Sequence, residues 1–81
     1  MRGHVEFVGR AVVVECENWG RRIWRSRCGG YRVSEFVSRL ESRTVYYAER
    51  RRADGGGWDV ISRHKKRATA EAAVRRAERR G

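Results

Sequence analysis

The chain has 81 residues, twenty of them Lys or Arg and ten Asp or Glu, for a formal charge of +10. Such an excess on so small a body opposes compaction and implies a polyanionic partner, nucleic acid first. The length suits a single small basic domain, residues 1–81, burying about 60–65% of its unfolded surface, and a 40% hydrophobic content excludes wholesale disorder.

In chain order, Val5 to Cys16 is rich in β-branched residues and predicts a strand, or two strand pieces bent at Gly9. Asn18-Trp19-Gly20 marks a turn, and Arg21 to Cys28 alternates, with Trp24, Ser26 and Cys28 opposite Ile23, Arg25 and Arg27. After Gly29-Gly30, the spacing of Val33, Phe36, Val37 and Leu40 is helical, with Ser34 as a cap. A strand is expected over Arg43–Arg51, then a glycine turn at 54–57 and a strand over Trp58–His64. The chain closes with an Ala-rich helix from about Thr69 to Arg80, whose stripe is Ala70, Ala73, Val74 and Ala77.

This order predicts an α+β fold, a four-stranded, mainly antiparallel sheet with two helices on one face and the other face open. It reads ββα-ββα, with three strands and one helix as the competing arrangement. Residues 37–43 match residues 74–80 at four of seven positions, which suggests an internal duplication. A sheet edge left free offers pairing with a second copy in a homodimer.

Strand alternation would put Trp24, Ser26, Cys28, Trp58, Val60 and Ser62 under the helices. Ile23, Arg25, Arg27, Asp59, Ile61, Arg63 and Lys65 would then point outward, with Tyr46 or Tyr47 adjoining. Aromatic rings among guanidinium groups on an open sheet suit nucleic acid, because rings stack on bases while cations track phosphates.

A second basic feature is Arg50-Arg51-Arg52 beside the glycine turn, and a third is Arg63-His64-Lys65-Lys66-Arg67 before the last helix. Arg75, Arg76, Arg79 and Arg80 follow on that helix. Residues 1–42 hold eight cations and five anions, whereas 43–81 hold twelve and five, so the excess lies in the second half. The candidate nucleic-acid-binding set is therefore Arg25, Arg27, Tyr47, Arg50, Arg51, Arg52, Arg63, Lys65, Lys66, Arg67, Arg75 and Arg76. Glu71 and Glu78 offer Arg partners within the helix, a competing and purely structural use of its charges.

Over the last 25 residues or so, the strand Trp58-Asp59-Val60-Ile61-Ser62-Arg63 followed by Thr69-Ala70-Glu71-Ala72 resembles the ending of arm-type DNA-binding domains of phage integrases. The resemblance implies three strands before the helix and a sheet that reads DNA. The ββα-ββα reading departs from that pattern.

Other chemistries find little footing. His4 and His64 pair with no nucleophile or carboxylate by spacing, and Glu15 and Glu17 suit hairpin-edge solvation better than a metal-dependent nuclease. Cys16, Cys28, His4 and His64 match no zinc pattern, and the triple glycine 55–57 precedes a strand, not the helix a phosphate loop requires. The expectation is a non-enzyme without cofactor or metal. No apolar run approaches the ~20 residues of a membrane span. The last helix has an Ala-and-Val face too small to bury in a membrane surface. The start, Met1 to Glu6, lacks the features of a signal peptide, so a cytoplasmic protein with reduced cysteines is expected. The alternative function is a small phage- or mobile-element-type inhibitor that binds a host protein or nucleoprotein complex, since Trp, Tyr and Arg also make interface hot spots.

Overall fold

The computed structural model describes residues 7–15 as backbone and residues 17–80 with their side chains. Five strands run β1 (Phe7–Glu15), β2 (Trp19–Ser26), β3 (Tyr31–Ser38), β4 (Arg43–Arg51) and β5 (Trp58–His64), followed by one helix, α1 (Arg67–Arg80). Each strand pairs antiparallel with the next, so the sheet order is the chain order. The α+β class is as expected, but among the described residues there are five strands in one sheet and a single helix, with no second ββα unit to support a duplication. The β1–β2 register breaks between Val8 and Val12, at the Gly9 where a bend was expected.

The predicted first helix is the strand β3. Its residues carry two periods at once: Val33, Glu35 and Val37 alternate with Arg32, Ser34 and Phe36. The strand period wins because Gly29 adopts a positive φ of 78° and its N–H donates to Ser26 O (3.1 Å), which folds β2 back onto β3. Leu40, the fourth member of the helical stripe, falls in the β3–β4 turn and is 78% exposed.

The helix packs across β3, β4 and β5 on one face of the sheet. Val33 pairs opposite Ala48, and both meet Ala70, Ala73 and Val74, with Trp24, Tyr31 and Tyr46 at the margin. Three small helix residues let α1 approach the sheet closely, and the aromatic rings fill the flank. The helix starts two residues before the expected Thr69, whose hydroxyl donates back to Lys66 O (2.9 Å) and closes the first turn.

A bulge in β5 decides which side chains share the opposite face. Ala48 pairs with Ser62 while Glu49 pairs with Val60, leaving Ile61 as the extra residue. The first half of β5 is thereby inverted relative to simple alternation. Trp58 and Val60, expected under the helix, stand on the uncovered face, while Asp59, expected outward, pairs with Arg50 on the other side. Trp24, Ser26 and Ser62 do face the helix, and Arg25 and Arg63 do face away from it.

Candidate nucleic-acid interface

The uncovered face is assembled from alternate residues of the paired strands. Cross-strand rows run Ile23–Ser34–Tyr47–Arg63 and Arg25–Arg32–Glu49–Val60, with Arg21–Phe36–Val45 beside them. Arg51 and Trp58 pair at one end of the face, and Trp19, Ser38 and Arg43 at the other. From β2 to β5 this face therefore carries Arg21, Arg25, Arg32, Arg43, Arg51 and Arg63, with Glu49 the one carboxylate at these strand positions and Arg43 paired to Glu41 of the β3–β4 turn at 3.6 Å.

Glu49 is only 6% exposed and is already spoken for. Arg32 Nε donates to its Oε1 at 2.5 Å, and the buried Ser34 hydroxyl donates to the same oxygen at 2.8 Å. Arg21 in turn reaches Ser34 Oγ at 3.4 Å. Such a pair is costly to desolvate and is held by its extra hydrogen bonds. It leaves the middle of the face near neutral, while Arg25, Arg51 and Arg63 have no carboxylate partner among the described residues.

Aromatic groups lie among these cations. Trp19 and Phe36 stack with centroids 5.6 Å apart, and the Arg32 guanidinium lies 4.3 Å from the Trp58 ring centroid. A shallow hollow of about 440 Å³ is lined by Arg21, Ser34, Phe36, Tyr47, Glu49 and Val60. A smaller notch of about 290 Å³ lies between the β2–β3 and β4–β5 turns, lined by Arg25, Arg51, Trp58 and glycines 29, 55 and 57.

The helix-covered face treats charge differently. Arg22 grips Glu35 with two bonds, Nε to Oε1 at 2.6 Å and Nη2 to Oε2 at 2.8 Å, and the Tyr46 hydroxyl donates to Oε2 at 2.7 Å. The Arg22 guanidinium holds the Glu35 carboxyl below its ordinary range; burial opposes this, and the Tyr46 hydroxyl adds to the lowering. The hydrogen bond to Glu35 raises the Tyr46 phenol and burial adds to this, while the Arg22 and Arg67 charges oppose it. Trp24 lies between Arg22, 5.2 Å from its ring centroid, and Arg67 at 4.7 Å, and Arg67 also pairs with Glu71 at 3.2 Å.

The expected binding residues divide among several surfaces. Arg25, Tyr47, Arg51 and Arg63 share the uncovered face. Arg50 pairs opposite Tyr31 and Asp59 on the covered side, and Arg52, in the β4–β5 turn, donates to Asp59 at 2.9 Å. Arg27 is exposed in the β2–β3 turn and is engaged in a contact there. Arg50–Arg52 and Arg63–Arg67 do lie at opposite ends of their hairpin. Lys65 and Lys66 are exposed beside the helix start, whereas Arg67 is committed to Trp24 and Glu71. Arg75 and Arg76 belong to the helix, which lies on the opposite side of the sheet from Arg25 and Arg63.

Sequence reasoning missed Arg21, Arg32, Phe36, Trp58 and the buried Glu49 as members of the face. The alternation through β3 carried the signal for Arg32 and Phe36. Nothing local announced the Ile61 bulge that delivers Trp58.

Of the remaining chemical groups that are described, His64 belongs to the helix-covered side and Cys28 to the β2–β3 turn. His64 Nε2 shares a hydrogen bond with Ser62 Oγ at 2.7 Å, a pairing the spacing had not suggested. The Cys28 thiol is free and exposed, and the Ser26 hydroxyl and Gly30 N–H, each 3.4 Å from Sγ, lower its pKa. Cys16, His4 and the Glu15 side chain lie outside what the structure describes, and Glu17 is exposed. No helix among the described residues is long and apolar enough to cross a membrane. Comparison with protein families, curated proteins and solved structures returns no match to this chain.

Proposed function

We propose that this protein is a non-catalytic nucleic-acid-binding module that lays its uncovered sheet face against the strand. The reading rests on one observation. The face carries three arginines without carboxylate partners among the described residues, and the one carboxylate at its strand positions, Glu49, is buried and engaged by Arg32. Guanidinium groups beside the exposed Phe36 and Val60 and the half-buried Tyr47 and Trp58 rings provide phosphate contacts and stacking area together. The phosphate contacts supply affinity without sequence choice, whereas any base preference comes from the ring-lined hollow. The α1 arginines act at longer range, adding to the field that draws a polyanion toward the protein.

The test is the salt dependence of binding to DNA and RNA oligonucleotides. Log affinity should fall linearly with log salt, at about 0.7–0.9 per phosphate neutralised. Affinity that does not change between low and physiological salt contradicts the proposal. A pull-down from nuclease-treated lysate gives a second decision: retention of one protein partner would instead favour an inhibitor that binds a host complex.

A further inference from the structure

The notch between the two glycine turns has the makings of a dedicated phosphate seat. Its walls come from the ends of three strands. Arg25 lies near the end of β2, Arg51 ends β4, and Trp58 begins β5 directly opposite Arg51. Two backbone bonds hold the walls in place: Arg51 N–H donates to Gly30 O at 2.9 Å, and Arg52 N–H donates to Gly57 O at 2.9 Å. The first ties one turn to the strand leading into the other, so main-chain bonds fix how the two turns stand relative to each other.

Two of the neighbouring carboxylates are paired with other arginines, and the third, in the β4–β5 turn itself, is capped by main chain. Asp54 Oδ1 accepts from the Gly56 N–H at 2.7 Å, Asp59 is held by Arg52 at 2.9 Å, and Glu49 by Arg32. Arg25 and Arg51 thus line one small notch without a carboxylate partner of their own among the described residues. The Trp58 indole N–H likewise has no acceptor among the described residues. Gly55 and Gly57, at φ of 75° and 142°, leave open space where a side chain would stand.

We propose that this notch binds a single phosphate group of a nucleic acid between the Arg25 and Arg51 guanidinium groups, with Trp58 as the wall beside it. Guanidinium forks match phosphate oxygens in charge and geometry, and an aromatic wall suits the sugar or base attached to a phosphate. The inference deepens the nucleic-acid reading and rests on it for the identity of the ligand.

The experiment is a heteronuclear NMR titration of the full chain with inorganic phosphate at constant ionic strength, followed by a titration with a short oligonucleotide. The expected result is a saturable shift of the Trp58 indole and of the Gly29, Gly55 and Gly57 amides. Arg51→Ala should weaken it roughly ten- to a hundredfold, the loss of a charged hydrogen-bonding partner. Arg51→Lys, which keeps the charge but not the fork, should weaken it less. Shifts that do not saturate, that spread over all arginine-bearing segments alike, or that survive Arg51→Ala unchanged would overturn the proposal. Saturable phosphate binding at the notch without any oligonucleotide binding would leave the phosphate seat standing and overturn its assignment to nucleic acid.

Discussion

On the helix-covered side of the sheet, Arg22 and Arg67 meet Glu35 and Glu71 and lie against Trp24. On the uncovered side, Arg25, Arg51 and Arg63 meet no carboxylate among the described residues. The same residue type thus does two kinds of work a few ångströms apart. Beneath the helix, arginine is a structural cross-link whose charge is cancelled where it stands. Across the sheet, Arg25, Arg51 and Arg63 remain as unspent positive potential, while Arg43 pairs with Glu41 and the Arg32–Glu49 pair carries the Trp58 ring in place. A net charge of +10 therefore says less about function than the distribution of the few acids that subtract from it.

That contrast makes stability and binding separable. Replacing Glu35 by Ala should be the most damaging single change, because it strands Arg22 and Tyr46, its partners on β2 and β4. The expected loss is about 3 kcal/mol, discounted from a fully buried pair because Arg22 is half exposed. Urea unfolding reads it, and oligonucleotide affinity of the folded fraction should stay within about twofold. A large affinity loss would show that the two faces are not independent.

The next effect is on pH dependence. Glu35 has its folded-state pKa lowered, so its stabilisation is fully present above the unfolded value near 4.5 and is lost as pH falls through the folded value. Tyr46 is shifted upward, so the same network also loses stability as pH rises above about 10. Glu35→Gln should flatten the acid limb of a stability-versus-pH curve, although it lowers the plateau. An acid limb of unchanged steepness would assign the loss to other carboxylates.

A smaller change tests the turn that shapes the notch. Gly55 sits at φ 75° with open space around it, so Gly55→Ala meets no clash and bears only backbone strain. That costs about 1 kcal/mol, or a Tm drop of roughly 4–8 °C for a domain of this size. Smallest of all, Arg63→Ala should change stability by no more than about 0.5 kcal/mol in either direction. A marked destabilisation would mean that Arg63 supports the fold and is not held in reserve for a ligand.

Much of this architecture was written locally. The glycine pairs and triplets announced two of the turns, the Val- and Tyr-rich stretches announced β4 and β5, and the Ala stripe announced α1 with its buried positions. β3 was not legible, because Val33, Phe36 and Val37 fit a helix as well as a strand and because buried Glu35 looks like a surface residue until Arg22 and Tyr46 are placed beside it. Such partners are thirteen and eleven residues away in sequence, so no window of local pattern could contain them. The uncovered face was half legible for a similar reason. Arg25 and Arg63 follow from alternation alone, but Trp58 reaches the face only through the Ile61 bulge, a register event set by pairing with β4. The helix arginines lie on the other side of the sheet from Arg25 and Arg63, as the expected arrangement of helix on one face and open face opposite already implied.

The most direct test of the account compares two charge-matched variants, Arg25→Ala/Arg51→Ala/Arg63→Ala on the uncovered face and Arg76→Ala/Arg79→Ala/Arg80→Ala on the helix. Each loses three positive charges, so long-range attraction changes alike and only contact differs. In oligonucleotide titrations over a range of salt, the uncovered-face variant should lose about a hundredfold in affinity near physiological salt. Its log–log salt slope should become shallower by roughly two to three. The helix variant should lose no more than about fivefold, with nearly the parental slope, as expected for charges that act through the field alone. Equal losses and equal slopes in the two variants would contradict the claim that the uncovered sheet face is where the strand binds.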